Sequence, residues 1–226
     1  ESDGSGSISD DFLKNRFYEK EPIKRNLNDI AAILYTSGTT GRSKGAMITQ
    51  ENLLSNAKIL KEYWHFNSKD NLIHALPIYH THGLFVATNV ILASSAKMTF
   101  LEKFELETLI DNLPYATVLM GVPTYYSRLL DSNKLTKLLV KNIRLFISGS
   151  APLTRETNDR FFNETGKRIL ERYGMTETNM ICSNPYKGKR IPGKVGFPLP
   201  GIDVRVVDQV TGQLLSNGQV GEIQVK

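Results

Sequence analysis

A run of glycines and hydroxyl side chains between Tyr35 and Gly45 has the composition of a phosphate-binding loop. It reads Tyr-Thr-Ser-Gly-Thr-Thr-Gly-Arg-Ser-Lys-Gly and directly follows an apolar segment that is predicted to be a strand. Glycines let a backbone approach a ligand closely, while hydroxyls, free amides and a lysine can bind phosphate oxygens. The spacing is not that of a Walker A loop, because Lys44 follows Arg42 and Ser43 and precedes a glycine. Composition alone also fits a flexible surface loop.

Three further polar segments each end or follow a predicted strand. They are 76–84 (Leu-Pro-Ile-Tyr-His-Thr-His-Gly-Leu), 148–153 (Ser-Gly-Ser-Ala-Pro-Leu) and 171–178 (Glu-Arg-Tyr-Gly-Met-Thr-Glu-Thr). Taken singly, the last two also fit an ordinary strand-to-helix connection and a polar loop. His80 and His82 lack a nearby third ligand and form a poor zinc site, and His82 is expected to pack at the start of a helix. Open α/β sheets bind ligands at the carboxyl ends of their strands, which favours a ligand site at these segments.

Strand–helix alternation between residues 29 and 192 predicts an α/β fold with a mostly parallel sheet flanked by helices. The predicted strands are 31–35, 71–76, 97–101, 116–120, 143–147 and 167–170. The predicted helices are one that Thr49 caps, one over 84–93, and three more over 106–113, 125–130 and 154–162. Residues 193–226 change pattern and predict the start of a small β-rich subdomain, with strands at 203–207 and 222–225. Residues 1–28 are predicted to be a linker or surface segment.

Composition narrows the function classes. The net charge of +5 is mild and spread out, so it suits anionic ligands such as nucleotides and does not indicate a nucleic-acid partner. The lone cysteine, Cys182, excludes an intrachain disulfide and a multi-cysteine metal site. It fits a reducing compartment, the cytoplasm or alternatively the mitochondrial matrix. No apolar run reaches the ~20 residues that cross a bilayer. The sequence stops within a predicted strand, so we expect it to be a fragment.

Together and in this order, the four motifs resemble those of the acyl-adenylate-forming superfamily, which includes acyl-CoA synthetases, luciferases and the adenylation domains of peptide synthetases. The resemblance extends from about residue 29 to residue 226 and implies ATP, Mg²⁺ and coenzyme A as ligands. A carboxylate would attack the α-phosphate of ATP, and the CoA thiol would then attack the acyl-adenylate. The resemblance assigns ATP binding to these residues: Thr36, Ser37, Gly38, Thr39, Thr40, Gly41, Lys44, Gly149, Ser150, Ala151, Arg172, Tyr173, Gly174, Met175 and Thr176.

The resemblance also implies individual roles. The loop from Thr36 to Lys44 would surround the β- and γ-phosphates, and residues 149–151 would form one wall of the adenine pocket. Tyr173 would stack on the adenine, since a flat aromatic ring suits that role. Thr176 would hydrogen-bond the α-phosphate, and Glu177 would hold Mg²⁺, a hard ion that favours carboxylate and phosphate oxygens. With His80, these last two residues are the candidate catalytic set.

Within the superfamily, the sequence is most similar to malonyl-CoA synthetases, through the stretches at 76–84, 121–126, 144–151 and 171–180. A second carboxylate must be neutralised when it is buried, and a bidentate guanidinium is the natural partner. The resemblance implies that Arg128 binds it, with Arg172 and Arg144 in reserve; the alternative is an exposed helix arginine. The acid-binding residues are then predicted to be His80, Thr81, Arg128, Ser148 and Met175.

In this superfamily the adenylation lysine lies on a mobile C-terminal domain, which the resemblance places beyond residue 226. We therefore expect this chain to bind nucleotide and acid but to adenylate weakly or not at all by itself. Its partners are predicted to be malonate, ATP and CoA, together with that further domain. Two alternatives stay open: a CoA ligase for another short acid, such as acetate, methylmalonate or an aryl acid, and a non-catalytic nucleotide-binding fragment.

Overall fold

The computed structural model describes residues 21–36 and 43–226. Residues 21–26 have no regular secondary structure. The strands are β1 (Ile30–Thr36), β2 (Lys44–Thr49), β3 (Asn71–His74), β4 (Lys97–Phe100), β5 (Val118–Gly121), β6 (Leu145–Ser148), β7 (Leu170–Met175), β8 (Asn179–Ser183), β9 (Phe197–Pro198), β10 (Val204–Val207) and β11 (Glu222–Val225).

Helices connect most of the strands. They are α1 (Gln50–Tyr63), a π-helix (His82–Ala87) that continues into α2 (Thr88–Ser94), α3 (Leu106–Asn112), a 3-10 turn (Leu113–Tyr115), α4 (Pro123–Asp131) and α5 (Arg155–Thr165). No helix in the described part of the chain is long and apolar enough to cross a bilayer.

Seven strands form the main sheet, in the order β4–β3–β5–β6–β7–β8–β9. The neighbours from β4 to β7 are parallel, whereas β8 and β9 are antiparallel to the strands beside them. The predicted α/β fold with a mostly parallel sheet is thus confirmed. Two smaller antiparallel pairs, β1–β2 and β10–β11, lie outside the main sheet. The second pair falls in the predicted β-rich region, while β9, also beyond residue 193, still belongs to the main sheet.

Two hydrophobic cores lie on opposite faces of the main sheet. Val118 and Met120 pack in one core with residues of α1 and α2, while Leu119 between them packs in the other with α3, α4 and α5. This alternation follows from the period of two along a strand. Because both faces are covered, the central strands are continuous apolar runs, as parallel strands usually are.

Helix α1 joins the β1–β2 pair to the main sheet. Thr49 caps the helix as predicted, and its hydroxyl accepts the backbone N–H of Asn52 at 3.2 Å, while the Asn52 side chain accepts the N–H of Thr49 at 3.0 Å. At its other end, the indole of Trp64 donates to the Ser183 hydroxyl at 3.0 Å. In the middle, Asn56 donates to the Met180 carbonyl at 3.1 Å. The helix is therefore fixed along its length against β8.

Four strands depart from the sequence-based predictions, among them the two-residue β9, which was not predicted. The segment predicted as 167–170 begins at Leu170 and runs on to Met175, so that five of the eight residues of the fourth motif are strand and not loop. β2 and β8 were not predicted, because their polar residues lie inside or beside motifs that suggest loops. Both are antiparallel partners of a strand that was predicted, and such pairing is decided by the neighbouring strand more than by local pattern.

Candidate active site

Three of the four motifs meet at one edge of the main sheet, where the parallel strands end. Gly121 at the end of β5 is the register partner of Ser148 at the end of β6, and Ser148 in turn lies opposite Glu171 of β7. His74, the last residue of β3, pairs with Met120 of β5. Because the carboxyl ends of parallel strands share an edge, segments 76–84, 148–151 and 171–177 come together there. Ligands of open α/β sheets bind at this edge.

A buried arginine lies at the centre of this edge. Arg172 is only 4% exposed, and its Nε and Nη2 have no hydrogen-bond partner in the described part of the chain. Its guanidinium occupies the space that a Cβ at Gly149 would need, so a larger residue at position 149 would displace the guanidinium. Burial lowers the pKa of Arg172 to about 10. A desolvated cation with no carboxylate beside it is costly for the fold, which makes Arg172 a strong binding group for an anion.

Other buried polar atoms lie in the same three segments. The hydroxyls of Thr81 and Ser148 and the Nε2 of His82 lack hydrogen-bond partners among the described residues. His82 Nδ1 shares a hydrogen bond of 3.2 Å with the hydroxyl of Ser150. Burial lowers the pKa of His82 well below its ordinary value, and the positive charge of Arg172 adds to this effect. The imidazole is therefore neutral and can donate or accept a hydrogen bond.

From the sequence, His82 was expected only to pack at a helix start, but the structure makes it a candidate functional residue. It is the first residue of the π-helix, as its predicted place at a helix start requires. Its ring nevertheless contacts the Gly-Ser-Ala turn through Ser150, a residue 68 positions away. In the structure, the sign of a functional role is the π-helix, a rare element that is frequent at functional sites. Because π-helices have no reliable sequence pattern, the sequence did not reveal this sign.

Arg128 lies at the same edge but is exposed to solvent. Its guanidinium carbon lies 5.6 Å from the centre of the Phe104 ring, and Phe104 stacks on Tyr125 with 4.0 Å between ring centres. The Tyr125 hydroxyl donates to the Ala75 carbonyl at 2.7 Å, directly after β3. Arg128 is thus held at the rim of the edge by aromatic contacts, and it makes no ion pair with a described residue.

His80 is also exposed, and its ring packs on that of Tyr79 with 4.7 Å between centres. Burial raises the pKa of Tyr125, and nearby Tyr79 adds to that rise. Segment 76–84 therefore reaches the aromatic side chains that support Arg128. His80 and Arg128 share the rim, while Thr81 and His82 point into the buried part.

Arg144, one of the two other arginines considered for the second carboxylate, is paired with Asp70. Its guanidinium makes a two-pronged ion pair with Asp70, with contacts of 2.8 Å and 2.7 Å. Asp70 also accepts the hydroxyl of Thr117 at 2.7 Å. These residues precede β3, β5 and β6, so the pair lies at the amino ends of the strands, opposite the candidate site. The reserve assignment of Arg144 to the acid is therefore wrong.

The predicted phosphate loop connects two antiparallel strands. Thr36 at the end of β1 and Lys44 at the start of β2 are cross-strand partners, and the Thr36 hydroxyl donates to the Lys44 carbonyl at 3.5 Å. Five predicted residues of this loop lie outside the described residues: Ser37, Gly38, Thr39, Thr40 and Gly41. Among the described residues, no hydrogen bond or salt bridge links Thr36 or Lys44 to the other three motifs.

The fourth motif ends in a tight connection between β7 and β8. Gly174 lies at an irregular register position, where a Cβ would collide with the backbone of Asn179. Tyr173 is half-buried and Met175 is exposed, and residues 176–178 form the turn. Ser150 and Ala151 are exposed as well, and Ser150 has the left-handed φ of 68°, a strained conformation of the kind that gathers at functional sites.

Glu177 presents an exposed carboxylate at this turn. Within the described residues, no group of three or more His, Cys, Asp and Glu side chains could hold a metal ion by itself. A single carboxylate fits Mg²⁺ when phosphate oxygens of a substrate supply further ligands, which is the usual pattern for this ion. The donors present therefore fit Mg²⁺ that arrives with a nucleotide.

The chain matches a family model and several proteins of known activity. The family model described as AMP-binding enzyme matches residues 2–226. Over 242 residues, the chain is 36% identical to a malonate–CoA ligase from Arabidopsis thaliana, covering 97% of this chain and 39% of that protein. It is 40% identical over 199 residues to a mitochondrial malonate–CoA ligase from Mus musculus, covering 79% of this chain and 33% of the relative. The chain thus spans about a third to two-fifths of the length of these relatives.

Solved structures give the same result. The ATP-bound MatB from Rhodopseudomonas palustris is 56% identical, with a TM-score of 0.94, and the match covers 99% of this chain and 44% of that one. A malonyl-CoA ligase complex with methylmalonyl-CoA and AMP bound is 38% identical, with a TM-score of 0.81, over 89% of this chain and 44% of the other.

Proposed function

We propose that this chain, which belongs to the AMP-binding enzyme family, is the nucleotide- and acid-binding part of an ATP-dependent malonate–CoA ligase. Malonate and ATP would give malonyl-AMP and pyrophosphate, and CoA would then give malonyl-CoA and AMP. Residues 29–192 would carry both pockets, and residues 193–226 would begin the β-rich part. The similarity to malonate–CoA ligases supports this substrate.

The observation that carries the proposal is the buried guanidinium of Arg172. A monocarboxylic acid with an apolar tail has no group to pair with a cation at that depth, whereas malonate has a second carboxylate. Pairing the two would remove the cost of an isolated buried charge. In this proposal Arg172 binds the distal carboxylate of malonate, in place of Arg128, and Arg128 lies at the rim, where it attracts the dianion. Thr81, Ser148 and His82 would donate to or accept from the acid.

The remaining chemistry is positioning and charge neutralisation. With the distal carboxylate fixed, the other carboxylate of malonate would be held in line with the α-phosphate. Such a fixed orientation of the reacting groups can supply much of the lowering of the activation barrier. His80 at the rim, Thr176 and Lys44 would neutralise charge on the carboxylate and phosphates. Tyr173 would stack on the adenine beside Gly149 and Ser150. Mg²⁺ held by Glu177 and phosphate oxygens would supply further charge neutralisation at the phosphates.

Calorimetry tests this assignment on the 226-residue chain, with binding as the readout because the chain spans only part of its relatives. Malonate and acetate are titrated in the presence of ATP against wild type, Arg172→Met and Arg128→Met. Wild type is expected to prefer malonate. Arg172→Met should weaken malonate by about 30-fold or more, the usual cost of removing one partner from a buried charge pair, and Arg128→Met by much less.

Three outcomes contradict parts of the proposal. Equal affinity of wild type for malonate and acetate would exclude a dicarboxylate and favour a ligase for another short acid. Loss of malonate binding in Arg128→Met alone would return the distal carboxylate to Arg128. Absence of ATP binding would exclude the nucleotide site altogether.

The proposed partners are small molecules, namely malonate, ATP and CoA, and the further domain that the longer relatives suggest. A reducing compartment, the cytoplasm or the mitochondrial matrix, is part of the proposal. Cys182 is a buried free thiol, which is consistent with such a compartment.

A further inference from the structure

A strongly basic groove lies between helix α5 and the loop that follows β8. Four cationic side chains and one carboxylate line it: Arg155, Arg168, Lys189, Arg190 and Asp159. Its volume is about 490 Å³, and the four cations exceed the single carboxylate by three charges. We call this feature the basic groove.

The basic groove is separate from the candidate active site. The Nη1 of Arg190 donates to the backbone carbonyl of Arg168 at 2.8 Å, and Arg168 precedes β7, which begins at Leu170. This end of the groove therefore lies at the amino end of β7. The candidate active site lies at the carboxyl end of the same strand, so nothing assigned there accounts for the groove.

Arg190 is fixed in place with its charge uncompensated. Besides Arg168, its guanidinium donates to the carbonyls of Pro185 at 3.1 Å and Tyr186 at 2.8 Å. All three acceptors are neutral, and no salt bridge to Arg190 occurs in the described part of the chain. Burial lowers the pKa of Arg190, as expected for a cation that lacks an anionic partner.

The basic groove contains one carboxylate, that of Asp159, for its other three cations. Asp159 forms an ion pair with Arg168, with a contact of 2.7 Å. Arg155 and Lys189 are exposed and make no salt bridge or side-chain hydrogen bond with any described residue. Arg155 is moreover the first residue of α5, where the helix dipole disfavours a positive side chain. An anion between these side chains would neutralise the unpaired charges of Arg155 and Lys189, and it would also offset the unfavourable interaction of Arg155 with the helix dipole.

We propose that the basic groove is a second anion site, which binds a small phosphate-bearing ligand with at least two negative charges. The exposed side chains of Arg155 and Lys189 contact the oxygens of this ligand. The half-buried guanidinium of Arg190 attracts the ligand electrostatically. Phosphate suits this arrangement because its several oxygens can accept from guanidinium and ammonium donors that approach from different sides. Inorganic pyrophosphate and a nucleoside monophosphate share this chemistry.

Lysine labelling tests the site at its own position, independently of any ligand in the candidate active site. The chain is acylated under limiting reagent with and without inorganic pyrophosphate or AMP, and labelling of Lys189 is compared with that of Lys97 on β4. At a ligand concentration ten times the dissociation constant, labelling of Lys189 should fall about tenfold, and that of Lys97 should not change. Protection by pyrophosphate alone identifies a free polyphosphate as the ligand, and protection by AMP as well identifies phosphate monoesters.

A charge-matched pair of variants completes the test. Arg155→Gln should weaken the affinity for pyrophosphate, measured by the protection of Lys189, about tenfold, while Lys58→Gln removes the same charge elsewhere and should have little effect. Binding of ATP at the candidate active site should persist in both. Unchanged labelling of Lys189 with either ligand, or equal weakening in the two variants, would overturn the proposal.

Discussion

Three arginines that are alike in the sequence have different environments in the structure. Arg144 is neutralised by Asp70, Arg128 lies exposed over an aromatic ring, and Arg172 is buried without a carboxylate partner in the described part of the chain. The free energy of a buried charge depends on whether it is paired. These three residues should therefore respond differently to the same substitution.

Replacing Arg172 by Met should leave the free energy of unfolding unchanged or raise it by about 1 kcal/mol, because an apolar side chain of similar size replaces an uncompensated charge. The matched variant Arg144→Met should lower it by about 3 kcal/mol, since Asp70 would stay buried without its partner. Urea denaturation of the ligand-free chain measures both. If Arg172→Met is as destabilising as Arg144→Met, Arg172 has a structural role and its assignment to the acid loses its basis.

Helix α1 is the element that joins the predicted phosphate loop, through β2, to the main sheet. Its first turn follows β2, and its far end is bonded to β8, the neighbour of the strand that carries Arg172 and Tyr173. The loop and the sheet edge therefore depend on one helix for their connection. The capping interaction at Thr49 stabilises the turn nearest the loop.

Thr49→Ala should lower the free energy of unfolding by about 1 kcal/mol, the usual cost of losing a side-chain N-cap. Thr49→Ser should restore it, because serine offers the same oxygen to the N–H of Asn52. Thr108→Ala within α3 is the control: the residue is exposed, and alanine is a good helix former. Thermal or urea unfolding gives the comparison. An equal loss in Thr49→Ala and Thr108→Ala would mean that the cap contributes little.

At the scale of the whole molecule, the buried histidine of the site links stability to pH. Burial, the charge of Arg172 and then His74 hold the pKa of His82 well below its ordinary value. Unfolded, the same residue would take up a proton near pH 6.5. Its contribution to stability is therefore complete above about pH 6.5 and is lost as the pH falls from there toward the folded pKa.

The free energy of unfolding should accordingly decline between about pH 6.5 and pH 5, and His82→Gln should flatten that decline. The difference in slope should approach 1.4 kcal/mol per pH unit, the value for one proton. Urea midpoints at several pH values measure it, and the other three histidines are common to both proteins. Parallel pH profiles for the two proteins would show that His82 titrates alike in the folded and unfolded chain.

The sequence by itself determined what depends on neighbouring residues. The order of the four motifs, the apolar runs that become parallel strands and the cap at Thr49 are local features, because a helix start or a buried strand is decided within a few residues. The same local features supported the assignment of the candidate site to the carboxyl ends of the strands.

Tertiary structure decided which of these residues lose their contact with water. Gly149 precedes Arg172 by 23 positions, the His82–Ser150 hydrogen bond spans 68, and the Arg144–Asp70 ion pair spans 74. No local pattern distinguishes a buried arginine from an exposed one, because burial is set by the packing of strands and helices that are distant in the chain. For that reason Arg128 was expected, from the resemblance, to bind the second carboxylate, and only the folded chain identified Arg172 as a buried cation without a hydrogen-bond partner for its Nε and Nη2 among the described residues.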